Sequence, residues 1–392
     1  MENGKKIKVA LVRGDSLNEW EGKIWGELGD DFQVTAFCSK KNLYNSKNLK
    51  YPVKNLFSSS DNFFVHNFDK YLNGRFQNMF GLEKELDGFD IAHTAEISYF
   101  FTTQAVRAKK KNKNLKVVAT VWDNSFGRFE YNYWPGFKTP PLFWRKKINS
   151  IIKENVGGVD LFLPVTEFSR GMLLDYGVPE NKIQILTPAV LNNDADAKDF
   201  LEEKGLAGKE IYMMVNRMVK EKGIYDVLYG WSMYLKSVGN KNKILLMIGN
   251  GPERENMMRL AGDLDVKDNI LFIQQLPNEK VRGLYKYAKT LILGSLSNPM
   301  WQEQFGYVLA EAMTNGCPVV STYSGAIPEV IGDAGVLFAP GNPVELKNVL
   351  EKIDDQESYS RLKANCQKMK ERFAAEKFKN NLVDIYKKLK ND

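Results

Sequence analysis

Four charged residues in the second half of the chain are spaced as a site for an extended anionic ligand would space them. Glu303 stands just before a Phe-Gly pair in "QEQFGYVLAEAM", and Glu311 follows after seven intervening residues, inside an apolar run. Gly306 is a natural break, and Val308, Leu309, Ala312 and Met313 recur at helical spacing, so a helix is predicted to begin near Gly306 or Tyr307. The free backbone N–H groups and the dipole at such a start favour an anion. Eight residues of helix rise roughly 12 Å at ~1.5 Å per residue, of the order of a sugar–diphosphate–ribose unit. A carboxylate accepts two hydroxyl hydrogen bonds well. The loop glutamate therefore suits the hydroxyls of a sugar, and the helix glutamate a ribose diol. On spacing alone, two solvated surface glutamates fit the same pattern.

A second element adds weight. "VNRMVKEKG" (215–223) places Arg217 and Lys222 in a strand-to-helix loop that ends at Gly223. The carboxyl end of a parallel strand is where a phosphate ligand is expected, with arginine offering a fork of donors and lysine a point charge. In "IGNGPERE" (248–255), Gly249 and Gly251 look like the start of a dinucleotide fingerprint, but Arg254 occupies the third glycine position. That stretch reads as a tight turn lining the site rather than as an NAD site.

The elements that must position these residues follow one grammar in both halves. Apolar runs at 8–12, 33–37, 89–94, 116–122 and 160–165 alternate with helical patterns, and "IQIL" (183–186) reads as a short strand. A second series runs through 211–215, 243–249, 269–273, 290–294, 318–322 and 335–339, again with helices between. Strands separated by helices imply parallel sheets with crossover connections. The polar stretch 191–205 divides the two series. The expected architecture is α/β: two Rossmann-like domains facing a cleft.

The length of 392 residues exceeds one ordinary core, in keeping with two domains. A net charge of +7 suits an anionic ligand or membrane surface without calling for nucleic acid. Cys38, Cys317 and Cys366 lie far apart with no C-x-x-C spacing, which argues against a disulfide framework and a zinc site. The only histidines, His66 and His93, are too few for a histidine-rich metal site. No apolar run approaches the ~18 residues of a membrane span. The N-terminus runs straight into "IKVALV", so a cytoplasmic protein is expected.

"VNRMVKEKG", "MIGNGPERE", "LPNEKVRGLYKYAKTLILGS" and "EQFGYVLAEAMTNGCPVVSTYSGAIPEVIGDAGVLF" stand in the order and spacing of family 4 (group 1) glycosyltransferases, which the chain resembles strongly over residues 205–345 and more weakly over 1–160. "VTEFSRGMLLDYGVPENKIQILTPAV" is similar to the family's segment near the hinge. The resemblance implies a GT-B fold and retaining transfer of a sugar from a nucleotide-sugar, in cell-envelope glycan or glycolipid synthesis. It also implies an acceptor domain over 1–190, joined by a returning helix at about 376–392, and a donor domain over 191–375. Arg217 and Lys222 look like the diphosphate pair, and Glu303 like the residue that holds the donor sugar. Gln304, Phe305, Gly306 and Tyr307 would bring the loop and helix start to sugar and phosphate. Glu311 resembles the ribose ligand. Gln275 and Leu276 would cover the base, and Gly14 and Gly249 would line the donor. Retaining members react at the front face, the leaving phosphate helping to deprotonate the acceptor, so no protein nucleophile, metal or further cofactor is implied.

The chain departs from the family in two places. A histidine often follows the strand that here reads "VVATVW"; Trp122 takes its place, with Asp123 and Asn124 as the polar neighbours expected to meet the acceptor. Asp123 or Asn124 is the expected polar substitute, and His93, with Glu96 nearby, is expected to point into the cleft as a further catalytic candidate, a structural role for a histidine at a strand end being the alternative. The glycine-rich first loop is reduced to Gly14. Asp194-Ala195-Asp196 and Asp263-Leu264-Asp265 resemble metal-binding pairs of other transferases, but neither closes an apolar strand, so no metal site is expected. Trp134, Phe137, Phe143 and Trp144 precede Arg145, Lys146 and Lys147, a composition suited to an anionic membrane surface and a polyprenyl-linked or saccharide acceptor. Two other readings stay open: a non-catalytic nucleotide-sugar-binding protein, and a GT-B phosphorylase or epimerase.

Overall fold

A parallel strand covered by helices on both faces is apolar at successive positions, and most of the runs above meet that condition. The computed structural model describes residues 6–62, 77–124, 142–191, 196–239, 242–298 and 301–391. They form two units, Met1–Ala189 with Ala375–Asp392, and Val190–Ala374.

The first unit holds β1 (Ile7–Gly14), β2 (Phe32–Ser39), β3 (Val53–Leu56), β4 (Ile91–Ala95), β5 (Lys116–Val121) and β6 (Leu161–Pro164). They lie parallel in the order β3-β2-β1-β4-β5-β6. β3 has no apolar run because it is the half-exposed edge strand, paired to β2 from Ala36–Val53 to Ser39–Leu56. The stretch expected as a strand at 183–186 is not one: the chain there makes a single bridge, from Ile183 to Phe162. The helix Ala375–Asn391 closes this unit, with Leu382, Ile385 and Tyr386 packed into the core around Val9, Leu11 and Trp25.

The second unit holds β7 (Glu210–Val215), β8 (Lys243–Ile248), β9 (Ile270–Ile273), β10 (Ala288–Leu293), β11 (Val319–Thr322) and β12 (Gly335–Phe338). The order is β12-β11-β10-β7-β8-β9, the same winding as in the first unit. All pairs are parallel. In each sheet the order reverses beside the first strand, between β1 and β4 and between β7 and β10. Crossovers leave such a point in opposite directions, so the loops at the carboxyl ends of its two strands part and leave room for a ligand. In the second unit those loops are 216–223 and 294–306.

Candidate functional site

Glycines let the two switch-point loops touch through bare backbone. Gly223, left-handed at φ +61°, would carry a Cβ 1.8 Å from the carbonyl oxygen of Gly294. Any side chain there would push the loops apart. Lys222 directly precedes this contact and Ser295 directly follows it. The Lys222 ammonium lies 2.7 Å from Oε2 of Glu303 and 4.9 Å from the centre of the Trp301 ring. The Ser295 hydroxyl donates to the same carboxylate oxygen at 2.7 Å. A third loop clamps the backbone of Glu303: its N–H donates to Ser324 Oγ at 3.3 Å, and its carbonyl accepts from the Ala326 N–H at 3.0 Å. Glu303 is thus a buried carboxylate aimed by three loops. Arg217 lies in the same loop as Lys222, exposed and with no carboxylate partner among the described residues.

Gly306 caps the helix Tyr307–Thr314 in a left-handed conformation with no side-chain cap. A helix start without a side-chain cap is suited to an anion. This start corrects the expected ruler. Residues 303–306 are loop, so only Tyr307 to Glu311 rises helically, by roughly 6 Å at ~1.5 Å per residue. The side chain of Phe305 packs against Tyr307 and Phe373 and is buried. Gln304 and Tyr307 are half-buried at the same junction. Glu311 is desolvated: burial pushes its carboxyl up to about 7, against the opposing pull of Arg282. The Arg282 Nη1 stands 3.7 Å from Glu311 Oε1. Leu276 is half-buried and Gln275 exposed just beyond β9.

Gly249 has a packing reason of its own. A Cβ there would sit 1.8 Å from the Asn216 carbonyl oxygen, so the glycine lets the β8 loop lie on the β7 loop. Gly14, in the first unit, is left-handed and packed against Gln77 Oε1, which accepts from the Asp15 N–H at 3.1 Å.

His93 is corrected. It is fully buried in β4, not at a site surface. Trp25 Nε1–H donates to the Tyr386 hydroxyl at 3.0 Å, and that hydroxyl is hydrogen-bonded to His93 Nδ1 at 2.5 Å. The other ring nitrogen, Nε2, is hydrogen-bonded to Thr120 Oγ1 at 2.7 Å, so both ring nitrogens are occupied within the core. Burial and the Arg13 cation hold its pKa well below the usual histidine value. His93 is a neutral core residue tying the helix Ala375–Asn391 to β4 and β5. Nearby, Glu96 is buried at φ +60° and accepts from the Trp122 N–H at 2.9 Å. It also takes the Asp123 N–H at 3.3 Å. Trp122 is half-buried, and Asp123 and Asn124 are buried.

Among the described residues no group of three or more His, Cys, Asp or Glu is placed to hold a metal ion. His66, Asp194 and Ala195 lie outside the described residues, as do Trp134 and Phe137 and the side chains of Phe143, Trp144 and Arg145. Asp196 accepts from the Tyr287 hydroxyl. The sequence did not single out Ser295, Trp301, Ser324 or Arg282. The Gly-Ser ending of the β10 run was the available signal for Ser295. An arginine on a helix gives none.

Residues 196–369 match the model of the family described as glycosyl transferases group 1. N-acetyl-alpha-D-glucosaminyl L-malate synthase of Bacillus anthracis is 30% identical over 196 residues, 49% of this chain and 49% of that protein. The GDP-mannose-dependent alpha-(1-6)-phosphatidylinositol monomannoside mannosyltransferase of Mycolicibacterium smegmatis is 25% identical over 181 residues, 45% of this chain and 47% of that one. The chain thus spans about half the length of the curated relatives it matches. Over nearly its whole length it shares a fold with Anabaena Alr3699/HepE, solved in complex with UDP: TM-score 0.72, 13% identity, covering 97% of this chain and 100% of that one. The chain has the GT-B fold, and over residues 196–369 it is similar to the group 1 glycosyl transferases.

Proposed function

We propose that the protein is a retaining glycosyltransferase, moving a sugar from a nucleotide diphosphate sugar to a hydroxyl of a saccharide or polyprenyl-linked acceptor in cell-envelope glycan or glycolipid synthesis. The observation that carries this reading is the meeting of Lys222 and Glu303 at 2.7 Å from the two loops of one switch point, directly before an uncapped helix start and Glu311. A cation, a hydroxyl-binding carboxylate, a helix N-terminus and a second carboxylate follow in the order that diphosphate, sugar and ribose require. In this reading Arg217 and Lys222 take the diphosphate charge without a metal ion and stabilise it as the nucleotide departs. Glu303 holds the sugar, the backbone of Gln304 to Gly306 meets sugar and phosphate, and Glu311 takes the ribose diol. Gln275 and Leu276 lie against the base. Trp122, Asp123 and Asn124 remain the proposed acceptor contacts, and the leaving phosphate assists deprotonation of the acceptor.

The test is a panel of UDP-, GDP- and ADP-linked sugars on wild type and Glu303→Ala. Slow donor hydrolysis by wild type that disappears in the variant is the expected result, and it names the donor; the UDP complex of HepE makes uridine the first base to try. Tight binding with no turnover, even with acceptors added, would favour the non-catalytic alternative. Phosphate-dependent cleavage of a glycoside would favour a phosphorylase.

A peripheral contact with an anionic membrane on its cytoplasmic face is part of the proposal. No helix among the described residues is long and apolar enough to cross a membrane. Cys38, Cys317 and Cys366 are all free and buried, which suits a reducing compartment. The aromatic stretch expected to meet lipid lies largely outside the described residues, but the loop after β2 offers the same chemistry. Lys40, Lys41, Lys47 and Lys50 are exposed there, and residues 32–60 contain no acidic residue. Leu43 and Tyr44 are exposed at 64% and 47%, with Trp20 stacked edge-on against Tyr44. Flotation with phosphatidylglycerol vesicles is expected to carry the protein up, and Leu43→Ser with Tyr44→Ser to reduce this severalfold. Equal flotation with neutral vesicles, or none with either, would sink the idea.

A further inference from the structure

The donor-site reading gives Glu311 a task that its surroundings make difficult. A buried carboxyl favours its protonated form, whereas a ribose diol needs two acceptor oxygens. Among the described residues the only cation facing Glu311 is Arg282, one turn before Tyr285 on the helix Asn278–Tyr285. Their charges stand 3.7 Å apart, too far for a full hydrogen bond. A bidentate salt bridge would instead have occupied both carboxylate oxygens. The Arg282 Nε–H and the Tyr285 hydroxyl are buried without a hydrogen-bond partner among the described residues, so the corner holds polar capacity that the folded chain does not use. Other titratable groups do not substitute for Arg282. Tyr285 keeps its proton because burial and Glu311 both raise it. Cys317, beyond the end of the Glu311 helix, is buried and held as the thiol. From the helix Gln356–Arg372, Lys363 and Cys366 act on Cys317 rather than on Glu311.

Resting on that reading, we infer that Arg282 is a positioning residue that keeps Glu311 in its carboxylate form while leaving both oxygens open to the ribose diol. The sign of the pH dependence follows. The carboxylate fraction of Glu311 grows as pH rises through about 7, so nucleotide affinity rises over the same range. Arg282 opposes the effect of burial, so removing it moves the transition to higher pH.

The experiment is calorimetric titration of UDP, GDP and ADP between pH 5.5 and 9 into wild type, Arg282→Gln, Arg282→Lys and Glu311→Gln. The ligand phosphates titrate near ~6 themselves; Glu311→Gln supplies that baseline. Relative to it, wild type is expected to gain affinity as pH rises through neutrality. Arg282→Gln should show the same gain about one pH unit higher, hence about tenfold weaker binding near neutrality and near-equal binding at pH 9. Arg282→Lys should restore the wild-type profile, and a 2′-deoxy nucleotide should show only the baseline. Arg282→Met, which keeps the packing of the stem, replaces the glutamine variant if that does not fold. Parallel profiles for wild type and Arg282→Gln, with affinity lowered equally at every pH, would overturn the inference and leave the donor site standing. Failure of every diphosphate to bind wild type would overturn both.

Discussion

Lys222→Ala is expected to lower kcat/KM for sugar transfer by about two to three orders of magnitude, the range found when a charge-stabilising donor is taken from a water-excluded site. The ammonium is held by Glu303 at 2.7 Å and by the Trp301 face, so its position is set before ligand arrives. Donor binding must divide this pair: the phosphates take the ammonium, and the sugar hydroxyls take the carboxylate. Each residue therefore loses a partner when the other is removed, and the two are expected to act as a unit. The double variant Lys222→Ala, Glu303→Ala should fall little below the worse single one, because strongly coupled neighbours are not additive. Steady-state kinetics on the three variants decides this. Full multiplication of the two losses, or a Lys222→Ala enzyme within about threefold of wild type, would show that the pair does not work at the reacting centre.

Gly223→Ala is expected to destabilise the second unit by about 3 kcal/mol or more, the upper range for overpacking combined with a left-handed backbone. A methyl at 1.8 Å from the Gly294 carbonyl cannot be absorbed by a side-chain rotation, since both neighbours are backbone. Whatever gives way moves Lys222 on one side or Ser295 and Glu303 on the other, so nucleotide affinity should fall together with stability. Gly208→Ala is the control: its φ is +75° with nothing within 4 Å of the added Cβ, so only the left-handed cost of about 1–2 kcal/mol applies. Urea unfolding of the two variants, with nucleotide titration of each, makes the comparison. Equal losses would mean that the approach of the loops has no cost of its own.

Much of the framework was legible because a strand buried on both faces announces itself as an apolar run; ten such runs and the 318–322 run correspond to eleven of the twelve strands among the described residues. β3 escaped because Val53–Leu56 is an edge strand with polar residues at its centre. The stretch 183–186 misled for another reason: it runs beside β6, with the Ile183–Phe162 bridge and N–H bonds from Gln184 and Leu186 to β6 carbonyls, but the pairing is too short to make a strand. At the site, spacing found Glu303, Glu311, Arg217 and Lys222, which stand at loop and helix junctions with recognisable punctuation. It did not reveal that Lys222 touches Glu303 across 81 residues, since no periodicity connects two loops that meet only through the winding of the sheet. It also misjudged His93. A histidine at a strand end reads as available, and only the fold shows Tyr386 arriving from 293 residues away to occupy its ring.

The return of the last helix has a consequence for synthesis. Residues 190–374 form an uninterrupted stretch, whereas the first unit lacks Leu382, Ile385 and Tyr386 until the final segment has left the ribosome. The first unit, begun before the second, is therefore completed after it. While it waits, Trp25 and His93 have no hydroxyl from Tyr386 between them, and the groove that will receive the helix stays open to chaperones and to other nascent chains.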